Sequence, residues 1–346
     1  MRSRIRNTMM ILCFALILSF VSCSNKRVDE KKQIYIGVTC YDQKDTFIGE
    51  LIETFKKECA SLDTDKYDIS MTIMDAAGSQ RAQDDQVQEM IEDGCNVLCI
   101  NLADRTDLSH IINAAMEKDI PIIFFNREPV DEDLNRWDKL YYVGAKAKQS
   151  GQMQGELIAD YIKNNPGVDK NGDGRIQYVI LEGEMGHQDA IVRTESVTES
   201  MKNNGLQTEK LICQIANWNR AQAQNRMTQL IGQYKNSIEL VIANNDAMAL
   251  GAIDAYEKLG VTESNVPAFF GVDGTDDGLE AVQQSKLAAT VYNDKEGQAR
   301  AMAQLAYLAA TGGSMKNIKF EDKKYVYLPY EKVTPDNVNE FVKDEQ

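Results

Sequence analysis

From Gln33 onward, short runs rich in β-branched and aromatic residues alternate with longer stretches whose apolar positions recur at helical spacing. Ile34 to Thr39 reads as a strand, Phe47 to Ala60 as a helix, Ile69 to Asp75 as a strand, and Arg81 to Glu92 as a helix with Val87, Met90 and Ile91 on one side. Cys95 to Asn101, Leu108 to Met116, Ile120 to Phe125 and Leu140 to Val143 continue the alternation. A second series begins after Gly144, with a helix Gln149 to Lys163, a strand Tyr178 to Leu181 and a helix Ala190 to Asn203. It runs on through Leu211 to Ile215, Ala221 to Gln233, Leu240 to Ala243, Ala247 to Leu259, Ala268 to Val272, Gly278 to Gln284 and Ala288 to Tyr292. Strand and helix periods exchanging in this way predict an α/β protein of two similar doubly wound parallel-sheet lobes. The helix Gly297 to Ala310 and the strand Lys324 to Leu328 follow both series, where return crossovers let the first lobe reclaim them.

A chain of 346 residues exceeds the size at which one core usually suffices, which agrees with two lobes. Its formal charge is −15, and −18 once Arg2, Arg4 and Arg6 leave with the leader, so nucleic acid is not an expected partner. Those arginines precede an apolar run, Met9 to Val21, too short to span a bilayer stably, which reads as an export signal. The leader ends Phe20-Val21-Ser22-Cys23, similar to a bacterial lipobox, in which the Cys is lipidated and becomes the mature N-terminus; ordinary secretory cleavage is the alternative. Ser24 to Lys32 has the polar composition of a tether. Five cysteines remain beyond Cys13 and Cys23, an odd number without paired motif spacing, and they are expected as buried free thiols.

Asp169, Asn171, Asp173 and Gln177 place oxygen-bearing side chains at alternate positions, with Gly174 at the sixth place, where a calcium loop must turn. The twelfth place holds Ile180 instead of an acid, so this Asp-x-Asn-x-Asp-Gly reads equally as a polar turn or as a metal loop closed from elsewhere. Polar and aromatic residues also recur at the predicted carboxyl ends of strands, where open α/β sheets bind ligands: Asp45, Phe47, Asn101, Asn126, His187, Asp189, Arg193, Trp218, Asn245, Asp273 and Asn293. One such Asn is ordinarily a turn residue or a helix cap. Together these amide, carboxylate and guanidinium groups, flanked by a Phe and a Trp, describe a site for a neutral polyol.

The runs Ile36-Gly37-Val38-Thr39, Phe124-Phe125-Asn126-Arg127-Glu128-Pro129, Tyr141-Tyr142-Val143-Gly144, Gly186-His187-Gln188-Asp189, Val241 to Met248 and Phe270-Gly271-Val272-Asp273 resemble those of bacterial galactose/glucose-binding proteins. The resemblance covers Gln33 to Phe341 and implies a type I periplasmic-binding fold whose lobes are joined by a three-segment hinge near Gly144, Asn293 and Pro329 to Glu331. With the leader read as a signal peptide (1–22) and the tether as 23–32, it divides the rest into a first lobe (33–144 and 294–329) and a second (145–293 and 330–346). It implies a hexose held by Asp45, Asn126, His187, Asp189, Arg193, Asn245, Asp273 and Asn293 between the rings of Phe47 and Trp218. It also implies a structural Ca2+ held by the side chains of Asp169, Asn171, Asp173, Gln177 and Glu239 and the carbonyl of Arg175. Asp42-Gln43-Lys44 departs from the family pattern, as do Gly172 and Arg175.

The expectation is therefore a monomeric, exported, membrane-anchored lipoprotein that binds D-galactose and/or D-glucose, delivers it to the membrane components of an ABC importer, and does no chemistry. A sensor presenting the hexose to a chemoreceptor or membrane histidine kinase is the alternative. A glycoside hydrolase would need one carboxyl with a raised pKa, and the neighbouring amides and Arg193 are expected to keep Asp45, Asp189 and Asp273 ionised. A sugar-responsive repressor would need a basic helix-turn-helix ahead of Ile34, where a signal segment stands instead.

Overall fold

β-Branched and aromatic runs supply two sheets in the computed structural model, which describes residues 31–342 apart from positions 63 and 65. The first contains β1 (Lys32–Cys40), β2 (Tyr67–Asp75), β3 (Val97–Ile100), β4 (Ile122–Phe125), β5 (Leu140–Gly144) and β11 (Tyr325–Tyr327), in the order β11-β5-β4-β3-β1-β2 with every pair parallel. The second orders β7 (Thr208–Ile215), β6 (Ile176–Glu182), β8 (Leu240–Ala243) and β9 (Ala268–Phe270), also parallel. Bridges Phe270↔Ala289 and Asp273↔Tyr292 attach β10 (Thr290–Asn293) to its edge, and β10 pairs antiparallel with β12 (Tyr330–Val333). Since β11 joins the first sheet and β12 the second, the chain passes between sheets three times: after β5, after β10 and after β11.

Helices cover both faces, as the unbroken burial of β3, β4 and β8 requires. The first sheet carries α1 (Thr46–Ser61), α2 (Gln80–Glu92), α3 (Ser109–Glu117) and a single turn α4 (Asp131–Leu134); the second carries α5 (Ala147–Asn164), α6 (Gln188–Asn203), α7 (Arg220–Tyr234), α8 (Asp246–Leu259) and α9 (Asp276–Gln283). The late helix α10 (Lys295–Thr311) lies against α1 and the first sheet. These are the two doubly wound parallel-sheet lobes that the alternating pattern predicts, arranged as in the type I periplasmic-binding fold that the resemblance implies. Two elements escaped the sequence reading, α4 and the antiparallel β12. Cys40, Cys95 and Cys99 are buried free thiols as expected, Cys213 is a half-buried one, and Cys59 is buried. The leader, Cys23 and most of the tether lie outside the described residues.

Two features of the packing aim groups into the cleft. A Cβ on Gly151 would meet Ser196 Oγ at 2.0 Å and Arg193 O at 2.7 Å, and one on Gly155 would meet Ser200 Cβ at 2.5 Å, so α5 and α6 lie close enough to fix Arg193. Asp45 and Asn245 cap α1 and α8 by accepting from the backbone N–H of Ile48 and Met248 at 3.1 and 2.9 Å. The reading that such strand-end residues are caps is therefore correct for both, and capping is what holds them at the cleft.

Candidate functional site

Between the lobes lies a small, polar cavity. Tyr41, Asp45, Phe47, Ile48, Asn126 and Arg127 line it from the first lobe; His187, Asp189, Arg193, Trp218, Asn245 and Asp273 line it from the second. All of the expected cleft residues except Asn101 and Asn293 meet here. Asn101 is fully buried behind the wall, donating to Phe125 O and Asn126 Oδ1. Asn293 Oδ1 accepts from Gln298 Nε2, and the Asn293 side chain also bonds Asp273, so it supports the wall without forming it. Asn126, Trp218 and Asp273 have φ of +60°, +60° and +115°, a backbone conformation that costs non-glycine residues and is held here by the surrounding structure. The Trp218 indole lies on the backbone of Gly183, where a Cβ would come within 2.2 Å of the ring.

Arg193 anchors the second wall. It is 4% exposed; one terminal nitrogen donates to Asn244 O at 2.6 Å and to Asp273 Oδ1 at 3.4 Å, and the other to Tyr330 Oη at 3.1 Å. Its Nε is buried and has no partner among the described residues. An unmet guanidinium donor in a dry site calls for an acceptor from a ligand.

Burial also acts on the acids that Arg193 is expected to keep ionised. Burial pushes the carboxyls of Asp45, Asp189 and Asp273 above the ordinary range, outweighing the pull of Arg127 and Arg193. His187 moves down to about 2, first by burial and then by Arg127, Arg193 and Arg105, so its ring stays neutral. Its Nδ1 accepts from Asp189 N at 3.1 Å, which leaves Nε2 as the proton-bearing donor.

A family model for the periplasmic binding protein domain matches residues 36–314. The chain belongs to the periplasmic binding protein family. Among its relatives, the D-galactose/methyl-galactoside binding periplasmic protein of Haemophilus influenzae is 38% identical over 89% of this chain and 92% of its own length. A putative rhizopine-binding protein of Rhizobium meliloti is 28% identical over 79% and 82%. An ABC transporter solute-binding protein of Bacillus halodurans, solved with bound myo-inositol, superposes with a TM-score of 0.74 at 30% identity, covering 90% of this chain and 98% of that one. The resemblance seen in the motifs thus extends over nearly the whole chain, and it places this periplasmic binding protein among extracytoplasmic binding proteins and not among enzymes. No helix among the described residues is long and apolar enough to cross a membrane.

The acidic loop of this binding protein closes on itself. Asp169 accepts from the backbone N–H groups of Gly172 and Gly174, and Asn171 from that of Asp173. The Gln177 and Asn171 side-chain amides reach Asp173 Oδ2 at 2.9 and 3.2 Å. Glu239, 1% exposed at the head of β8, accepts from the N–H groups of Lys170, Asn171 and Gln177. Among the described residues no group of three or more His, Cys, Asp or Glu gathers at metal-ligand spacing; the donors here mix carboxylates with amides. They are all oxygen donors, the chemistry of a hard cation, and a buried carboxylate beside the loop fits a bidentate closing ligand.

Three cavity residues were not singled out from the sequence, Tyr41, Ile48 and Arg127. Tyr41 follows β1 and satisfies the strand-end rule that found Asp45; Arg127 adjoins Asn126 but its role depends on contacts invisible in sequence. A much larger groove at the amino ends of β9 and β10, lined by Tyr161, Tyr256 and Phe269, contains none of the expected site residues.

Proposed function

We propose that this protein captures D-galactose or D-glucose between its lobes and delivers it to an ABC importer. The observation that carries this reading is a cavity walled by Arg193, Asp45, Asp189, Asp273, Asn126, Asn245 and neutral His187, with Phe47 and Trp218 as its aromatic surfaces. Hydroxyls both donate and accept, so a pyranose can satisfy carboxylates, amides and the guanidinium together, while ring C–H patches lie against the aromatic faces. The kinship with a galactose/methyl-galactoside binder supports a hexose. Trp137 is the only other Trp and lies outside the cavity, so hexose should change indole emission chiefly through Trp218. Trp218→Phe should abolish the emission change while weakening binding only modestly. A wild-type emission spectrum insensitive to both sugars counts against the assignment.

The same reading includes a structural calcium ion, with Asp169, Asn171, Asp173, Gln177, Glu239 and the Arg175 carbonyl as its ligands. It also includes a lipid on Cys23, which anchors the protein to the extracytoplasmic face of a membrane; two acyl chains hold stably where one does not. Cys23→Ala should move the protein from the membrane to the soluble fraction. Membrane retention of that variant would refute the anchor.

A further inference from the structure

Arg127 touches the cavity and the opposite lobe at once. It is 6% exposed, its backbone N–H donates to Phe125 O at 2.7 Å, and one guanidinium nitrogen donates to Ala103 O at 3.3 Å. The other crosses the cleft to Glu184 Oε2 at 2.7 Å. The guanidinium carbon stands over the Tyr41 ring, 3.5 Å from its centre. Tyr41 in turn donates its hydroxyl to Asp45 Oδ2 at 2.5 Å, and the other Asp45 oxygen caps α1. A single chain of contacts therefore runs from Glu184 in the second lobe, through Arg127 and Tyr41, to the acid of the first lobe that faces the cavity.

We infer that Arg127 is a positioning residue that ties lobe closure to ligand retention: when the lobes meet, Glu184 fixes the guanidinium, which holds Tyr41 and so orients Asp45. This rests on the hexose reading of the cavity. Three features carry it. A fork-shaped guanidinium serves a stack and a charged hydrogen bond simultaneously, which a lysine ammonium does not. Glu184 stands on the loop between β6 and His187, so the pair exists only while the lobes are together. Arg127 and Glu184 also border a second, larger cavity that shares Arg127, His187 and Asp189 with the first, so the pair stands where the two meet.

A contact made only in the closed form acts on release, not on encounter. Glu184 is 44% exposed, so Glu184→Gln removes the charge without disturbing the core, and exposure limits the size of the effect. Stopped-flow measurement of Trp218 emission should show hexose leaving Glu184→Gln about three to ten times faster, with the association rate and the melting temperature of the ligand-free protein unchanged. Arg127→Met should speed release further, because the Tyr41 stack goes as well, and adding Glu184→Gln to it should change nothing more. Release from Glu184→Gln at the wild-type rate, or strictly additive effects of the two substitutions, overturns the inference. Glu184→Gln alone decides if Arg127→Met fails to fold. A wild type that binds neither hexose would sink the sugar reading itself, a result distinct from unchanged release.

Discussion

Asp273→Asn should raise the hexose dissociation constant about ten- to a hundredfold while leaving the ligand-free melting temperature at pH 7 nearly unchanged. The first part follows from the size of a hydrogen bond to a charged group, about 1.5–3 kcal/mol, at a tenfold change per 1.4 kcal/mol. Asp273 faces the cavity beside Arg193, and its wall position is enforced by backbone bonds to Val291 O and from Asn293 N at 2.8 and 2.9 Å. The second part follows from burial. The Asp273 carboxyl is held well above its ordinary pKa, so its contribution to stability is complete below the unfolded-state value and is lost as pH rises through the folded-state value. The amide removes that pH-dependent contribution and keeps the shape of the side chain, so little stability is lost at neutral pH. Asn also tolerates φ of +115° better than Ala would, and Arg193 keeps Asn244 O and Tyr330 as partners. Calorimetry and thermal melts on one preparation separate the two parts. A melting temperature that falls in step with affinity would make Asp273 a scaffold residue and not a contact.

Removing calcium should lower the melting temperature by roughly 5–10 °C. An ion that binds only the folded state, present at on the order of a hundred times its Kd, stabilises by about 2.7 kcal/mol, and each kcal/mol shifts a 150–250-residue unit by about 2–4 °C. Asp169, Asp173 and Glu239 would be left to repel one another around a loop that ties β6 to β8 through the Glu239 carboxylate. Glu239→Gln should melt lower even in metal-free buffer, because one of its oxygens no longer accepts from the loop. The diagnostic quantity is therefore the response to chelator, which should largely vanish in this variant. Superimposable melting curves of the wild type with and without chelator would remove the ion from the account.

Much of the architecture is legible in sequence because the strands are short, apolar and separated by helices of regular period; Ile122 to Phe125 is buried throughout and has no other reading. β12 was missed because Tyr330-Glu331-Lys332-Val333 offers only two apolar positions, and its partner β10 lies far back in the chain. Most of the cleft was legible for a physical reason: parallel strands deliver their carboxyl ends to one place, so a strand-end Asp or Asn needs no further information to be placed. Arg127 was not, because its cross-lobe contact with Glu184 spans 57 positions and depends on how the lobes close. The upward push of burial on the three carboxyls was not legible either, because a sequence shows the neighbouring guanidinium but not how dry the site is.

The most direct test is calorimetric titration of the calcium-loaded protein with D-galactose and with D-glucose. The account predicts one sugar per chain for at least one of the two, with a Kd on the order of micromolar or tighter, which requires about 8 kcal/mol and is within reach of several charged hydrogen bonds. No heat of binding for either sugar, in protein that melts cooperatively, would contradict it.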